Sequence, residues 1–238
     1  LLLFSNLHFK ESLSVDNRKR GNLKSLVSGF GIVLKNRRYV YYVLQMGFAM
    51  GVLFANISSS PFIVQQHYGF SAFEFSLFFG INALAIGLAA GLSVKFKNPE
   101  HAMFLGSVGM TMMSAVEFVI LSNEYHFAVY EAVLFVLLFS MGLTFTASTT
   151  LAMDCERANS GTASALFGAA GFAFGGIVSP LVGLGDILST TGLIFFVCSV
   201  CSLCFSVLAM NQTHTNLWGS FKCKMGPVTR FVFLRREK

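Results

Sequence analysis

Long apolar segments separated by short polar ones dominate the pattern of this chain. Six windows of about 20 mostly apolar residues occur, and none of them contains a lysine or an arginine. A helix needs about 20 such residues to cross the hydrocarbon core of a bilayer, which is about 30 Å thick. The pattern therefore predicts six transmembrane helices, at residues 40–60, 72–94, 102–121, 127–151, 162–184 and 188–210.

Polar segments flank the predicted helices. Residues 1–38 are expected to form a cytoplasmic linker that begins with the end of a preceding span, because the chain starts at Leu1 without a methionine and its authentic N-terminus is expected upstream. Residues 39–210 form the predicted bundle, and residues 211–238 form a basic cytoplasmic tail. Within the linker, apolar residues recur at helical spacing: Leu23, Leu26, Val27, Phe30, Val33 and Leu34. This spacing indicates either an interfacial helix on an anionic inner leaflet or a structured linker.

Composition and charge support a membrane protein. Of the 238 residues, 54% are hydrophobic and 12% are charged, against about 25% charged in an ordinary soluble domain. The net charge of +6 comes from 17 lysines and arginines, and all of them fall on one side of the six-span arrangement. Because basic residues near span ends stay in the cytoplasm, both termini are predicted to be cytoplasmic. The basic charge therefore reflects membrane topology, and no nucleic-acid partner is predicted.

Residues with catalytic or metal-binding chemistry form no recognisable motif. The five histidines are scattered, without an HExxH sequence or a cluster with cysteine. Cys198, Cys201 and Cys204 repeat every third residue in the last span, either as small apolar side chains or as a metal or redox site. No phosphate-binding loop or nucleophile–base pair is seen. We predict no enzyme activity, no metal site and no cofactor.

An internal repeat relates the two halves of the predicted bundle. Ser76 to Gly80, followed by Gly87, align with Ser164 to Gly168, followed by Gly175, and the string Gly51-Val-Leu-Phe54 matches Gly142-Leu-Thr-Phe145. Either these Gly- and Phe-rich strings match by chance, or spans one to three are related to spans four to six. Since three spans is an odd number, related copies would cross the membrane in opposite directions, as in secondary transporters.

Glycines at four-residue spacing predict close helix approach. Small residues on one helix face let backbones pack tightly where no hydrophobic effect drives association. The alternative is that they allow helices to slide during gating. The predicted packing glycines are Gly47, Gly51, Gly87, Gly91, Gly168, Gly171 and Gly175.

Several strings resemble a known transporter family. They are Lys10-Glu-Ser-Leu13, Ser59-Ser-Pro-Phe62 with Gln65, Tyr68-Gly-Phe-Ser71, Phe79-Gly-Ile-Asn82-Ala, and Gly161-Thr-Ala-Ser-Ala-Leu-Phe-Gly168. With six spans and an inverted repeat, the chain resembles one half of a major facilitator transporter. More narrowly, residues 9–210 resemble the C-terminal half of the Bcr/CflA drug-efflux antiporters.

This resemblance implies a fold and a function. The expected fold is an all-α polytopic membrane protein, with six transmembrane helices forming one half, a 3+3 inverted repeat, of a major-facilitator fold. The expected function is efflux of drugs or other small molecules by proton antiport with alternating access, in the bilayer of a bacterial inner membrane. The expected partner is an N-terminal six-helix half, which carries the proton-coupling acids of the family. The alternatives are a truncated or split-gene fragment without transport activity, and a facilitator that exports a sugar, a nucleoside or another metabolite.

The resemblance also implies that the first, second, fourth and fifth spans line a central cavity. Polar and aromatic side chains deep in those spans are the candidates for contacting substrate: Gln45, Asn56, Ser59, Phe79, Asn82, Phe145, Thr149, Ser164 and Phe167. An amide inside hydrocarbon is costly unless it is hydrogen-bonded. The alternative for the amides is therefore hydrogen bonding between helices.

Three carboxyl groups near the predicted outer face are candidates for carrying a proton. They are Glu74 in the second span, Glu117 in the third and Glu131 in the fourth. A carboxyl removed from water favours its neutral form and can carry a proton. The alternative is that each side chain reaches water at the nearby membrane interface, where its charge costs little.

Overall fold

In the computed structural model, the backbone is described for residues 23–224 and the side chains for residues 28–212. Within this part of the chain, the regular structure is entirely helical. The α-helices are α1 (Leu23–Leu34), α2 (Arg37–Pro61), α3 (Ala72–Ser93), α4 (Pro99–Ser122), α5 (Phe127–Cys155), α6 (Ser160–Leu181) and α7 (Ile187–Lys224). The expected end of a preceding span, the Lys10-Glu-Ser-Leu13 string and the last part of the basic tail lie outside the described residues.

Six of these helices, α2 to α7, are long and apolar enough to cross a membrane. The predicted all-α fold with six spans is therefore confirmed. The first span is longer than predicted, because a single π-helical stretch, Phe62–His67, continues α2. Pro61 has no backbone N–H and its ring crowds the preceding turn, so the backbone widens there before it turns at Gly69, where φ is +76°. The shorter helix α1 packs on α6 and α2, and its location at a membrane surface stays a prediction.

The helix packing has an internal two-fold pattern. Helix α2 packs against α5, α6 and α7, while α5 packs against α2, α3 and α4, and α4 also packs against α7. Exchanging α2, α3 and α4 for α5, α6 and α7 leaves this set of contacts unchanged. The packing therefore agrees with the 3+3 inverted repeat predicted from the sequence.

Two aligned glycines of the repeat have matching positions in this packing. Gly51 of α2 lies against α6, and a Cβ atom there would come within 3.2 Å of Val178. Gly142 of α5 lies against α3, and a Cβ atom there would come within 2.5 Å of the backbone oxygen of Ile86. Each glycine thus lets the first helix of its repeat approach the middle helix of the other repeat.

Three of the predicted packing glycines do not contact another helix within the described bundle. A Cβ atom at Gly87, Gly91 or Gly168 would meet no atom within 4 Å. These three lie on sides of α3 and α6 that no described helix covers. The remaining predicted glycines lie close to side chains of other helices: Gly47 to Phe174, Gly51 to Val178 and Cys198, Gly171 to Met50, and Gly175 to Phe54.

The bundle has two chemically different ends. We name the end that holds the start of α2 and the α3–α4 and α5–α6 connections the Arg38 end, and the opposite end the Tyr68 end. At the Arg38 end, Arg38 forms a 2.8 Å salt bridge with Glu100, and the Asn36 amide donates a 2.8 Å hydrogen bond to Glu156. The described basic side chains also lie at this end: Lys35, Arg37, Arg38, Lys95, Lys97 and Arg157.

Candidate functional site

Gln45 lies at the meeting point of three helices. Its side chain is fully buried, and its Nε2 donates a 3.1 Å hydrogen bond to Oγ of Ser202 on α7. Its Oε1 accepts a hydrogen bond from Oγ of Ser148 on α5. The amide is thus satisfied inside the protein, and it does not face an open surface of this six-helix unit. For Gln45 the structure matches the alternative of hydrogen bonding between helices.

Asn56 and Ser59 are also buried within the bundle. Oγ of Ser60 lies 2.8 Å from Oδ1 of Asn56 and 2.7 Å from its backbone oxygen, so the Asn56 side chain is bonded within α2. Ser59 is fully buried, and its Oγ has no hydrogen-bond partner among the described residues. Neither side chain reaches an open surface of this unit, contrary to the expectation of a cavity position.

Asn82 connects α3 to α5 near the Tyr68 end. It is 5% exposed, and its Nδ2 donates a 2.9 Å hydrogen bond to Oε1 of Glu131. The other oxygens of this pair, Oδ1 of Asn82 and Oε2 of Glu131, are buried without a described partner. Asn82 therefore holds a carboxyl group within the membrane-spanning part of the bundle.

Glu117 is the most deeply buried carboxyl group of the three candidates. It lies on α4 and its side chain is fully buried, with neither carboxyl oxygen accepting a hydrogen bond from the described residues. It interacts electrostatically with Glu131, Tyr130 and Tyr68. The alternative that this side chain reaches water at the interface is wrong, because α4 turns it toward the bundle interior. We call Asn82, Glu117, Tyr130 and Glu131 the carboxyl cluster.

Tyr130 completes this cluster, and the sequence interpretation missed it. Its side chain is 1% exposed and hydrogen-bonds to Ser60 of α2. Its position directly before Glu131 on α5 was the only sequence feature that could have indicated a place in this cluster. A buried tyrosine hydroxyl usually finds a partner, and here that partner connects the cluster, which already spans α3, α4 and α5, to a fourth helix, α2.

Glu74 is separate from the carboxyl cluster. It is exposed and belongs to a capping box at the start of α3, where its Oε2 accepts a 2.8 Å hydrogen bond from the backbone N–H of Ser71. The Ser71 hydroxyl in turn accepts a 3.3 Å hydrogen bond from the backbone N–H of Glu74. The expectation that Glu74 carries a proton inside the membrane is therefore wrong, since its side chain faces outward and caps a helix.

The remaining substrate candidates divide into buried and open positions. Phe167 is buried in the same apolar cluster that half-buried Phe145 packs against. Thr149 is half-buried, and its Oγ1 donates a 2.8 Å hydrogen bond to the backbone oxygen of Phe145. Phe79 and Ser164 are exposed on the open sides of α3 and α6.

The sequence interpretation missed an aromatic pair formed by half-buried Phe54 and exposed Phe172. Phe172 is 67% exposed, and its ring meets that of Phe54 edge to face at 6.0 Å between centroids. Phe172 continues the four-residue spacing of Ser164 and Gly168, and all three are exposed. That spacing was the signal for an open face on α6, which we define by Ser164, Gly168 and Phe172.

Titratable side chains in the connections at the Tyr68 end form hydrogen bonds with nearby backbone groups. Burial raises the pKa of Tyr68, with further contributions from Glu117 and Glu124, and its hydroxyl donates a 2.9 Å hydrogen bond to the backbone oxygen of Tyr125. The backbone N–H of Ser189 donates to Asp186 at 2.9 Å and lowers the pKa of that carboxyl. Among the described residues, no group of three or more histidine, cysteine or acidic side chains is placed to hold a metal ion.

A six-helix membrane bundle with an internally symmetric packing defines the class of polytopic protein built on an inverted repeat. The sequence profile of the Major Facilitator Superfamily matches residues 2–180. The chain belongs to this superfamily.

One relative extends over most of the chain. The chain is 34% identical over 221 residues to an uncharacterized MFS-type transporter, YdgK, of Bacillus subtilis (strain 168). The match covers 91% of this chain and 55% of that relative. The chain therefore spans about half the length of the transporter it matches, as expected for one half of a facilitator.

Proposed function

We propose that this chain is the C-terminal half of a proton-coupled exporter of apolar small molecules in a bacterial inner membrane. Its partner would be a second, N-terminal six-helix bundle, and the two would rock about a central site in alternating access. The proton serves as the coupling ion, without a further cofactor. Membership of the superfamily and the coverage of about half of a relative support this proposal.

The open sides of α3 and α6 support the position of the second bundle. On α3, large apolar side chains such as Leu84 and Leu88 are 66% and 64% exposed. Small residues lie beside them, including Gly87 on α3 and Gly168 on α6, and a Cβ atom there would meet nothing. Apolar helices with small residues are suited to close packing against other helices. We infer that the partner bundle packs on these sides.

The aromatic and hydroxyl side chains on the partly open sides of α2, α5 and α6 are the observation on which the choice of cargo rests. Half-buried Phe54 and exposed Phe172 form an edge-to-face pair, and Phe145 and Thr149 are half-buried on α5. Rings with a few polar anchors suit a broad site for apolar ligands. The described lysines and arginines lie in the connections and helix ends at the Arg38 end, so these aromatic and hydroxyl side chains have no basic neighbour for an anion within the spans. Neutral or cationic apolar compounds are therefore the cargo that fits.

The distribution of basic residues supports an orientation. By the positive-inside rule, the Arg38 end faces the cytoplasm. Both termini then lie in the cytoplasm, and the carboxyl cluster lies closer to the outer surface. Protons would enter from the Tyr68 side as cargo leaves.

Efflux of a fluorescent apolar cation such as ethidium tests this proposal. Cells that lack their main drug pumps and express the protein should lose preloaded ethidium faster than cells with empty vector, and a protonophore should abolish the difference. A panel of labelled sugars, nucleosides and amino acids, measured in the same cells, tests the alternative of a metabolite facilitator. Efflux of one of these instead of ethidium would favour a metabolite facilitator, and movement of no compound would favour an inactive fragment.

A further inference from the structure

The carboxyl cluster contains more hydrogen-bond acceptors than donors. Four of its oxygens are buried without a donor among the described residues: Oδ1 of Asn82, Oε2 of Glu131 and both carboxyl oxygens of Glu117. Among the described residues, one group donates a hydrogen bond to a carboxyl of the cluster from another helix: Nδ2 of Asn82 donates to Oε1 of Glu131. A buried acceptor without a donor is unfavourable. A proton on either carboxyl group would convert one of these acceptors into a donor.

Among the described residues, no lysine or arginine forms an ion pair with either of the two carboxyl groups. Tyr68 and Tyr130 interact electrostatically with the pair. The connections at the same end of the bundle also carry titratable side chains: His67, Glu124, Tyr125, His126 and Asp186. The exposed His126 is the N-cap of α5, where its Nδ1 accepts a 3.3 Å hydrogen bond from the backbone N–H of Ala128. His67 is also exposed and interacts with Asp186. Two neighbouring carboxylates without a counter-charge repel each other, so a proton is the positive charge that fits this site.

The cluster also lies at the junction between the two three-helix repeats. Glu117 on α4 and Glu131 on α5 flank the hairpin that joins the two three-helix repeats, and Asn82 comes from α3. One side of α3 is uncovered, and the neighbours of Asn82 in the chain, Ile81 and Ala83, are exposed. A shift of α3 would therefore break the Asn82–Glu131 hydrogen bond and open half-buried Glu131 to water.

We propose that Glu117 and Glu131 together bind one transported proton, and that the hydrogen bond from Asn82 couples its binding to movement of α3. The proton from water forms an O–H bond with a carboxylate oxygen of Glu131 and is shared with Glu117. When α3 returns, the Asn82–Glu131 hydrogen bond re-forms and covers the proton; the proton leaves as H⁺ once alternating access opens the pair to the other side of the membrane. This inference rests on the proposed proton antiport and adds a proton site in this half of the transporter.

Transport by the full transporter in proteoliposomes separates this proposal from the proposed function. E117Q and E131Q should lose drug transport driven by a pH gradient, yet retain drug counterflow, which needs binding and alternating access without proton movement. E74Q is the matched control, since it makes the same change at an exposed capping residue where glutamine also caps. It should behave as wild type in both assays.

Several outcomes would overturn the proposal. One is full pH-driven transport by E117Q and E131Q; another is wild-type transport driven by a sodium gradient in place of a pH gradient, which would assign the oxygens to a metal cation. Loss of counterflow in well-folded variants would also contradict it, because that result assigns the pair to cargo binding. If wild type shows no gradient-driven transport, the proposed function itself fails.

Size-exclusion chromatography of each purified variant checks that it is folded. If the glutamine variants do not fold, E117D and E131D keep a carboxyl group at a shifted position. Wild-type protein in weakly buffered detergent should release protons when ethidium is added, and the aspartate variants should change the pH at which this release is half-maximal. An unchanged proton release in both would refute the proposal.

Discussion

Asn82 of α3 donates a 2.9 Å hydrogen bond to Glu131 of α5, although the two residues are 49 positions apart in the chain. This contact joins the middle helix of the first repeat to the first helix of the second. It also holds a carboxyl group in the same cluster as fully buried Glu117. The contact thus stabilises the bundle and orients the group that we propose to carry a proton.

The Asn82–Glu131 contact predicts a stability effect. Replacing Asn82 with leucine should lower the free energy of unfolding by about 1 kcal/mol or more, because an interhelical hydrogen bond in a membrane contributes about 0.6 kcal/mol on average and the Glu131 oxygen loses its donor. Unfolding in mixed micelles measures this loss. S76A on the same helix is the control, since Ser76 is exposed and bonds only within α3. Equal stability of N82L and S76A would contradict the contact.

Gln45 tests the choice between helix contact and cargo contact. Q45L should lower the free energy of unfolding by about 1 kcal/mol, since the bonds to Ser148 and Ser202 are lost. The KM for cargo should stay unchanged in the protein that folds. T150A, at an exposed hydroxyl of α5, should change neither quantity. A raised KM with unchanged stability would show instead that Gln45 contacts the cargo.

Gly142 tests the predicted role of glycine in helix approach. Its Cβ would lie 2.5 Å from a backbone oxygen of α3, which cannot rotate away. G142A should therefore destabilise the protein by about 1–3 kcal/mol, the usual cost of overpacking. G31A, on α1 with nothing within 4 Å of a Cβ, should fold as well as wild type. Thermal unfolding of the two purified variants gives the comparison, and equal Tm values would contradict the packing.

The sequence predicted the six spans well, because the length of an apolar segment and the absence of charged residues within it are enough to identify a span. It did not predict which face of a helix is buried, since α3 and α4 are apolar on nearly all sides and no polar stripe marks the exposed face. Glu117 illustrates this limit: its depth near the end of α4 was predictable, but its inward direction depends on how α4 packs against α5 and α7.

The internal repeat was also insufficient to predict which side chains surround the candidate site. Gly87 and Gly175 are aligned in the two repeats, yet Gly175 lies against Phe54 while Gly87 has open space around it. Sequence similarity predicted the shared backbone path of α3 and α6. It did not predict the neighbouring side chains, which come from other helices. The partner of Asn82 was missed for the same reason.

Two ion pairs at the Arg38 end should differ in strength. The Arg38–Glu100 pair has side chains 29% and 10% exposed, whereas those of Arg157 and Asp154 are 79% and 54% exposed. Double-mutant cycles should give a larger coupling energy, about 1 kcal/mol, for the first pair, and about 0–0.5 kcal/mol for the second, because water and salt screen exposed pairs. Equal coupling energies in both cycles would contradict this difference in burial.

The aromatic pair on the open face of α6 predicts an effect on transport that leaves stability unchanged. Phe172 is 67% exposed, so F172A removes little buried contact within this unit. If the ring contacts cargo in the assembled transporter, F172A should raise the KM for ethidium about threefold to tenfold, since an aromatic contact contributes about 0.5–1.5 kcal/mol. F104A is the matched control, because Phe104 is 39% exposed on α4, away from the Phe54–Phe172 pair. Initial rates of efflux against ethidium concentration give both KM values. A KM raised equally by F104A would indicate a general effect of losing an exposed ring, and an unchanged KM for F172A would remove the open face of α6 from the cargo site.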